Sequence, residues 1–206
     1  MIDTAFFITS FVTLFVIVDP IGLMPLFVAL TQGMTPSERR AVGLRACVTS
    51  LVILTLFATL GEAVLGFIGI SMAAFRVAGG ALLFLTALDM LFERRTKRRE
   101  DRTEEEEFPD PSIFPIAIPL VAGPGSIATV ILLAGQKPGF DGLAMVFAVM
   151  LAVLAIVLTM FLMGGLFERL LGKTGINVVT RLLGMLLAAL SVQFILEGLR
   201  EFGFAG

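Results

Sequence analysis

Pro119-Leu120-Val121-Ala122-Gly123-Pro124-Gly125-Ser126-Ile127 lies inside an apolar run that spans about residues 113–134. With Pro115, the run carries three prolines, and Gly123 and Gly125 flank the last of them. Each proline lacks the N–H that the carbonyl four residues earlier needs, so a helix here is interrupted. Asp19-Pro20-Ile21-Gly22, followed by Pro25, interrupts a second apolar run over about 4–31. Pro20 cannot bond to the Val16 carbonyl, nor Pro25 to that of Ile21.

The solvent around these breaks makes them decisive. The chain has 206 residues, 57% of them apolar and 16% charged, with a mean hydropathy of +0.99. Soluble domains carry roughly 45–50% apolar and about 25% charged residues. The apolar mass falls in six segments, about 4–31, 42–61, 71–92, 113–134, 143–166 and 178–199. Each is near the ~20 residues that cross a hydrocarbon core of roughly 30 Å. The first reads as a span rather than a secretory signal, because it lacks a basic n-region and outruns an h-region of roughly 7–15 residues. The fold expected is an all-α membrane protein with six transmembrane helices, the first and fourth discontinuous. Unpaired backbone groups at such breaks cost several kcal/mol against lipid, so they must be buried in protein or line a cavity.

Composition excludes much chemistry. There is no His and a single Cys, Cys47, which removes His-based metal sites, Ser-His-Asp triads and internal disulfides. No metal or other cofactor is expected. The net charge is −2 and the basic residues sit at segment ends, which does not suit nucleic acid. No Gly-x-x-x-x-Gly-Lys loop for ATP occurs. An intramembrane aspartyl protease on Asp19 and Asp89 would want Gly-x-Gly-Asp. The nearest match, Gly123-Pro124-Gly125-Ser126, ends in Ser, so the chain is read as no enzyme.

The halves resemble each other. Asp19-Pro20-Ile21-Gly22 aligns with Gly123-Pro124-Gly125-Ser126 at an offset of 104. Gly69-Ile70-Ser71 resembles Gly175-Ile176-Asn177, and Arg76 and Gly79 align with Arg181 and Gly184. A three-helix unit crosses an odd number of times, so its duplicate enters from the opposite side. The organisation expected is a first three-helix repeat over 1–92, a charged loop over 93–112 and a second, inverted three-helix repeat over 113–206. Arg76, Lys137 and Arg200 fall on one side of such a topology, and the other 12 basic residues on the opposite side. The positive-inside rule makes that second side, with the 93–112 loop, cytoplasmic, and both termini periplasmic or extracellular.

Two breaks at similar depth, in oppositely inserted halves, can meet across the symmetry axis. The half-helix starting near Pro124 offers free N–H groups at Gly125, Ser126 and Ile127, which favour a carboxylate. Asp19 offers the opposite charge to an ammonium group or a proton, or caps the second half of its own helix. The substrate-binding set read from these motifs is Asp19, Pro20, Gly22, Pro25, Gly123, Pro124, Gly125, Ser126 and Ile127, with Thr129 one turn below Gly125. Asp19 and Asp89 are the proton-coupling candidates. For Asp89, an ion pair with Arg94 or Arg45 is the competing reading. Thr13, Thr86 and Ser191 read as helix-bonded packing residues, and Gly79-Gly80 and Gly164-Gly165 as close helix contacts.

Asp19-Pro20-Ile21-Gly22 with Pro25, the Pro119–Ile127 stretch and the charged central loop resemble the MarC family, also grouped with neutral amino acid transporters of the SnatA type. The resemblance covers the whole chain. It implies a six-helix inner-membrane protein with outward termini, moving glycine, alanine and other small neutral amino acids with proton or cation coupling. Membrane lipids are the remaining partners. The function expected is therefore a secondary transporter working by alternating access around a midplane site. The alternatives are a channel or pore, or a transporter or exporter of another small solute.

Overall fold

The computed structural model describes residues 3–92 and 110–204, without the side chains at 165–169, 171 and 173. Of the charged stretch 93–112, only 110–112 fall within that range, so its expected loop and Arg94 lie outside the described residues. The described residues form seven helices and no strand. They are α1 (Thr4–Val18), α2 (Pro20–Leu30), α3 (Pro36–Ile68), α4 (Met72–Leu91), α5 (Ser112–Val121), α6 (Pro124–Gln136) and α7 (Phe140–Glu201). Five stretches are long and apolar enough to cross a membrane: Thr4–Leu30, Pro36–Ile68, Met72–Leu91, Phe140–Gly164 and Thr174–Glu201. A sixth is added if α5 and α6, bent by 56° at their junction, count as one span.

Local chemistry sets most boundaries. Pro36 starts α3 behind a capping box, in which the Thr35 hydroxyl takes the Glu38 amide and the Glu38 carboxylate takes the Thr35 amide. Gly69, at φ 84°, ends it in the left-handed conformation that glycine adopts without penalty. Between the fifth and sixth apolar segments helical geometry continues, and Phe140–Glu201 is broken only at Gly172, with φ 59°. Both ends of α7 nonetheless reach one end of the molecule. There Lys137 pairs with Asp3 at 3.1 Å, Met72 lies on Gly135, and Arg76 pairs with Glu201 at 2.7 Å. The chain therefore reverses between the two arms of α7, Phe140–Gly164 and Thr174–Glu201. At the opposite end Arg45, one of the two partners considered for Asp89, pairs with Asp110 at 3.3 Å; the other, Arg94, lies outside the described residues.

Close approach at glycine holds the bundle together. α4 and the C-terminal arm of α7 run antiparallel. A Cβ on Gly80 would come within 2.8 Å of the Ser191 carbonyl and 3.1 Å of the Ile195 amide. One on Gly184 would come within 3.2 Å of the Ala87 carbonyl and 3.4 Å of the Leu91 amide. Without side chains at these points the backbones meet directly, which maximises dispersion contact where no hydrophobic effect acts between helices. α3 and the N-terminal arm of α7 also run antiparallel, with Gly43 against Leu158 and the Cys47 thiol 3.8 Å from the Leu154 carbonyl. On the flanks, Gly61 of α3 sits under Ile131 of α6, and Gly164 of α7 under Val28 of α2. Phe27 and Phe161 close that second flank as parallel rings with centroids 4.1 Å apart, each about 1% exposed. Such a pair contributes about 0.5–1.5 kcal/mol beyond its buried area.

Two outcomes follow. Gly80→Leu must push the α4 and α7 backbones apart, and is expected to lower stability by about 1–3 kcal/mol in circular-dichroism melts in detergent. Gly66→Ala, whose Cβ meets nothing, is expected to be neutral or to stabilise by less than ~1 kcal/mol. At the end of the bundle, the Phe6 amide and then Lys137 hold the Asp3 carboxyl below its ordinary value. A lowered carboxylate stabilises above its unfolded pKa and loses that contribution as pH falls through the folded one. Hydrogen-exchange protection of the Phe6 amide is expected to persist down to the ordinary carboxylate range and to fall only below it, and Asp3→Asn to remove that step.

Candidate functional site at two helix breaks

Position 19 is where the first crossing loses its helix. Pro20 disfavours ordinary helical geometry for the residue before it, and Asp is among the few side chains that tolerate the left-handed region. Asp19 takes φ 56°, ψ 64°, and is the one described non-glycine residue with positive φ. Its amide still donates to the Phe15 carbonyl at 2.9 Å, ending α1. Its carboxylate turns over the start of α2 and accepts the Gly22 amide at 3.1 Å. Gly22 permits this, since a Cβ there would overlap the Asp19 carboxylate. Asp19 and Pro20 are buried, and Gly22 is half-buried. The sequence reading counted Pro25 among the breakers. It lies inside α2, which continues through it, so the interruption is confined to Asp19.

The second break is wider. Phe114 and Ile118, each before a proline, are extended at φ −125° and −122°, so α5 is irregular throughout. Gly123 precedes α6, and a Cβ there would overlap the Pro119 carbonyl. Pro124 occupies the first helical position, where its missing N–H costs nothing. No side chain caps this N-terminus. The Gly125 and Ser126 amides of the first turn therefore have no capping acceptor, and the helix dipole adds a partial positive charge of about +0.5.

The two breaks touch. A Cβ on Gly125 would come within 2.8 Å of the Ile17 side chain, two residues before Asp19, and 3.7 Å of Leu83 on α4. Thr129 shares the Gly125 face of α6 one turn on. It is 0% exposed, and its hydroxyl has no hydrogen-bond partner among the described residues. Ser126 is buried at 3% exposure, whereas Pro124 and Ile127 turn to another face and line a groove beside α3. The contact brings the α6 N-terminus against α1 one half-turn before Asp19, whose buried carboxylate caps α2.

Asp89 is half-buried on α4, six residues or ~9 Å along from Leu83. Thr13, Thr86 and Ser191 bond back to carbonyls of their own helices at 2.8, 3.0 and 2.7 Å. Among the described residues, no three potential metal ligands cluster. Ile17 and Leu83 were not singled out from the sequence. Both are ordinary apolar residues there, and only the α6 approach makes them walls of the site.

Residues 4–202 match the MarC family integral membrane protein description. The chain is 36% identical over 198 residues to a UPF0056 membrane protein of Aquifex aeolicus, covering 95% of this chain and 92% of that one. It is 36% identical over 200 residues to UPF0056 membrane protein YvbG of Bacillus subtilis, covering 95% of each. With UPF0056 inner membrane protein YhgN of Escherichia coli the identity is 36% over 193 residues, covering 94% and 95%. No solved structure matches the chain significantly. On the span of the family match and the identity to these relatives, the chain belongs to the MarC family of integral membrane proteins.

Proposed function

We propose that this protein is a secondary transporter for small neutral amino acids of glycine or alanine size, coupled to a proton or another cation. The observation that carries the reading is the close approach of Gly125, at the uncapped start of α6, to Ile17, two residues before the buried Asp19. The substrate carboxylate lies at the Gly125 and Ser126 amides, with the Thr129 hydroxyl supplying a further donor. The ammonium, or a coupling proton, lies at Asp19. Asp89 serves as a further proton-coupling group on α4. No catalytic step forms part of the proposal.

The proposal includes six crossings, arranged as two inverted three-helix repeats over 1–92 and 113–206. Reciprocal packing supports it. Gly80 lies on Ser191 and Ile195, and Gly184 lies on Ala87 and Leu91. Adding 104 to one partner and subtracting it from the other turns the first set into the second. Gly61 with Ile131 and Gly164 with Val28 obey the same relation within one residue. Asp19 and Gly123, the two breaks, are also 104 apart. In this reading the end holding Arg45 and most basic residues is cytoplasmic. The protein resides in the inner membrane, as the name of the Escherichia coli relative states for that protein.

Uptake of labelled glycine or alanine by proteoliposomes tests this. Asp19→Asn is expected to cut uptake at least tenfold while leaving the circular-dichroism melt within a few degrees. Thr129→Val removes a buried hydroxyl that has no partner among the described residues, so it is expected to be neutral or stabilising to the fold. The same change is expected to raise KM severalfold. Full uptake by both variants removes these side chains from the mechanism.

A further inference from the structure

Three hydroxyls line the seam between α1 and α6. Asp3, Phe6, Ser10, Thr13 and Ile17 recur at spacings of three and four, so they form one stripe along α1. Both ends of that stripe meet α6. The Asp3 carboxylate pairs with Lys137 at 3.1 Å, and the Lys137 ammonium lies 5.6 Å from the centre of the Phe6 ring. At the other end Ile17 lies on Gly125. Ser10 and Thr13, between those contacts, therefore face α6. On the opposing helix Thr129 shares the Gly125 face. The two helices run antiparallel, and Thr13 and Thr129 are each four residues, ~6 Å, from the contact of Ile17 with Gly125. They stand level across the seam, with Ser10 ~4.5 Å further towards Lys137.

All three residues are 0% exposed. Thr13 donates to the Thr9 carbonyl of its own helix at 2.8 Å, a common way to satisfy a hydroxyl in an apolar helix. Ser10 and Thr129 make no such bond and have no partner among the described residues. An unpaired buried hydroxyl lowers stability, and lipid offers it no partner in exchange. The fold itself does not ask for hydroxyls here. Under the repeat relation proposed above, the positions 104 away are Phe114, Ala117 and Pro25, and a shift of one residue still gives apolar side chains. The unpaired groups thus fall in one half only, on a line from the start of α6 to the end of the bundle that holds Lys137. Both walls of the seam are half-helices that stop at a break, α1 at Asp19 and α6 at Gly123. The other glycine contacts of α6 are with α3 and α4, through Gly61, Gly79 and Gly135. Parting the seam breaks the Ile17 contact and the Asp3–Lys137 pair but leaves those in place.

We propose that this seam is the route by which a small polar solute, the zwitterion of the reading above, passes between the Gly125 and Ser126 amides and the Asp3–Lys137 end of the bundle. The inference rests on the transporter reading and deepens it. Ser10, Thr13 and Thr129 are hydrogen-bonding stations that replace the water a charged solute sheds. A hydroxyl serves both ends of an amino acid, because it donates to a carboxylate and accepts from an ammonium group. In this structure the route is closed by Ile17 on Gly125 and by Lys137 on Asp3, and the Ser10 and Thr129 hydroxyls are idle while it is shut.

Cysteine labelling of the full chain in proteoliposomes, in a Cys47→Ala background, tests the route. A charged methanethiosulfonate attacks a thiolate, and so reads out where water reaches the thiol. The reagent is applied to the face that labels Phe204→Cys, an exposed position three residues past Glu201 at the Lys137 end. Ser10→Cys and Thr129→Cys are expected to react at least tenfold faster than Val12→Cys, which points out of the bundle at 37% exposure. Excess glycine is expected to slow labelling of Thr129→Cys severalfold. Asp3→Asn, which removes the closing pair, is expected to accelerate labelling of Ser10→Cys. Ser10→Ala removes an unpartnered hydroxyl, so its thermal melt is expected to hold or rise while uptake falls severalfold. A packing role predicts the reverse, a lower melt with full uptake. If both seam cysteines label no faster than Val12→Cys in protein that still takes up glycine, the route is overturned and the transporter reading stands. If they label from that face while no amino acid is taken up or slows the reaction, the polar route stands and the amino acid assignment alone fails.

Discussion

A peptide group inside hydrocarbon has no water to satisfy it, and this constraint governs the architecture. Where the chain keeps its helix, the problem is solved internally, as along α3 and the arms of α7. At Asp19 and around Gly123, proline removes donors that the helix requires. The exposed polar groups there must turn inward. Asp19 and Gly123 are buried, and each break is resolved differently. Asp19 brings its own carboxylate to the start of α2, whereas α6 begins with no capping side chain at all. The proposed site rests on this asymmetry of capping.

Bringing the breaks together depends on helices that approach more closely than ordinary side chains allow. Gly125 lets α6 meet Ile17, and Gly80 and Gly184 let α4 meet the last arm of α7 backbone to backbone. The apolar side chains pointing into the bundle cannot drive association in lipid as they do in water, so shape and contact must do it. The pairing at Gly80 and the pairing at Gly184 mirror each other, and each constrains the tilt of the same two helices. Inward-facing bulk such as Leu132 and Leu83 then fills the space that the glycines define.

Much of this was legible in the sequence, for local reasons. Proline and glycine act on their own backbone neighbourhood, so the interruptions at 19 and 123 could be read without knowing the partners. The apolar spans were legible because the bilayer fixes their length. What escaped was set by tertiary packing. Pro25 stays within a continuous α2, because a single missing donor at that point does not end a helix packed on α7 through Met24, Phe27 and Val28. The stretch before Thr174 is helical, with the reversal concentrated at Gly172, whose left-handed conformation leaves no compositional trace beyond one glycine among many. Arg45 finds Asp110, a choice made by where α5 begins. The Phe27–Phe161 stack joins residues 134 apart, in a chain with 19 phenylalanines that offer no reason to prefer that pair.

The dependence of α4 on the final arm of α7 has a consequence for biosynthesis. Gly80 and its neighbours leave the ribosome more than a hundred residues before Ser191 and Ile195, the groups that cover them. During that interval the bare backbone of α4 faces acyl chains, which fill a glycine notch poorly. The last crossing to be translated is thus the one that covers α4, and a chain truncated within it would leave the Gly80 notch open to lipid.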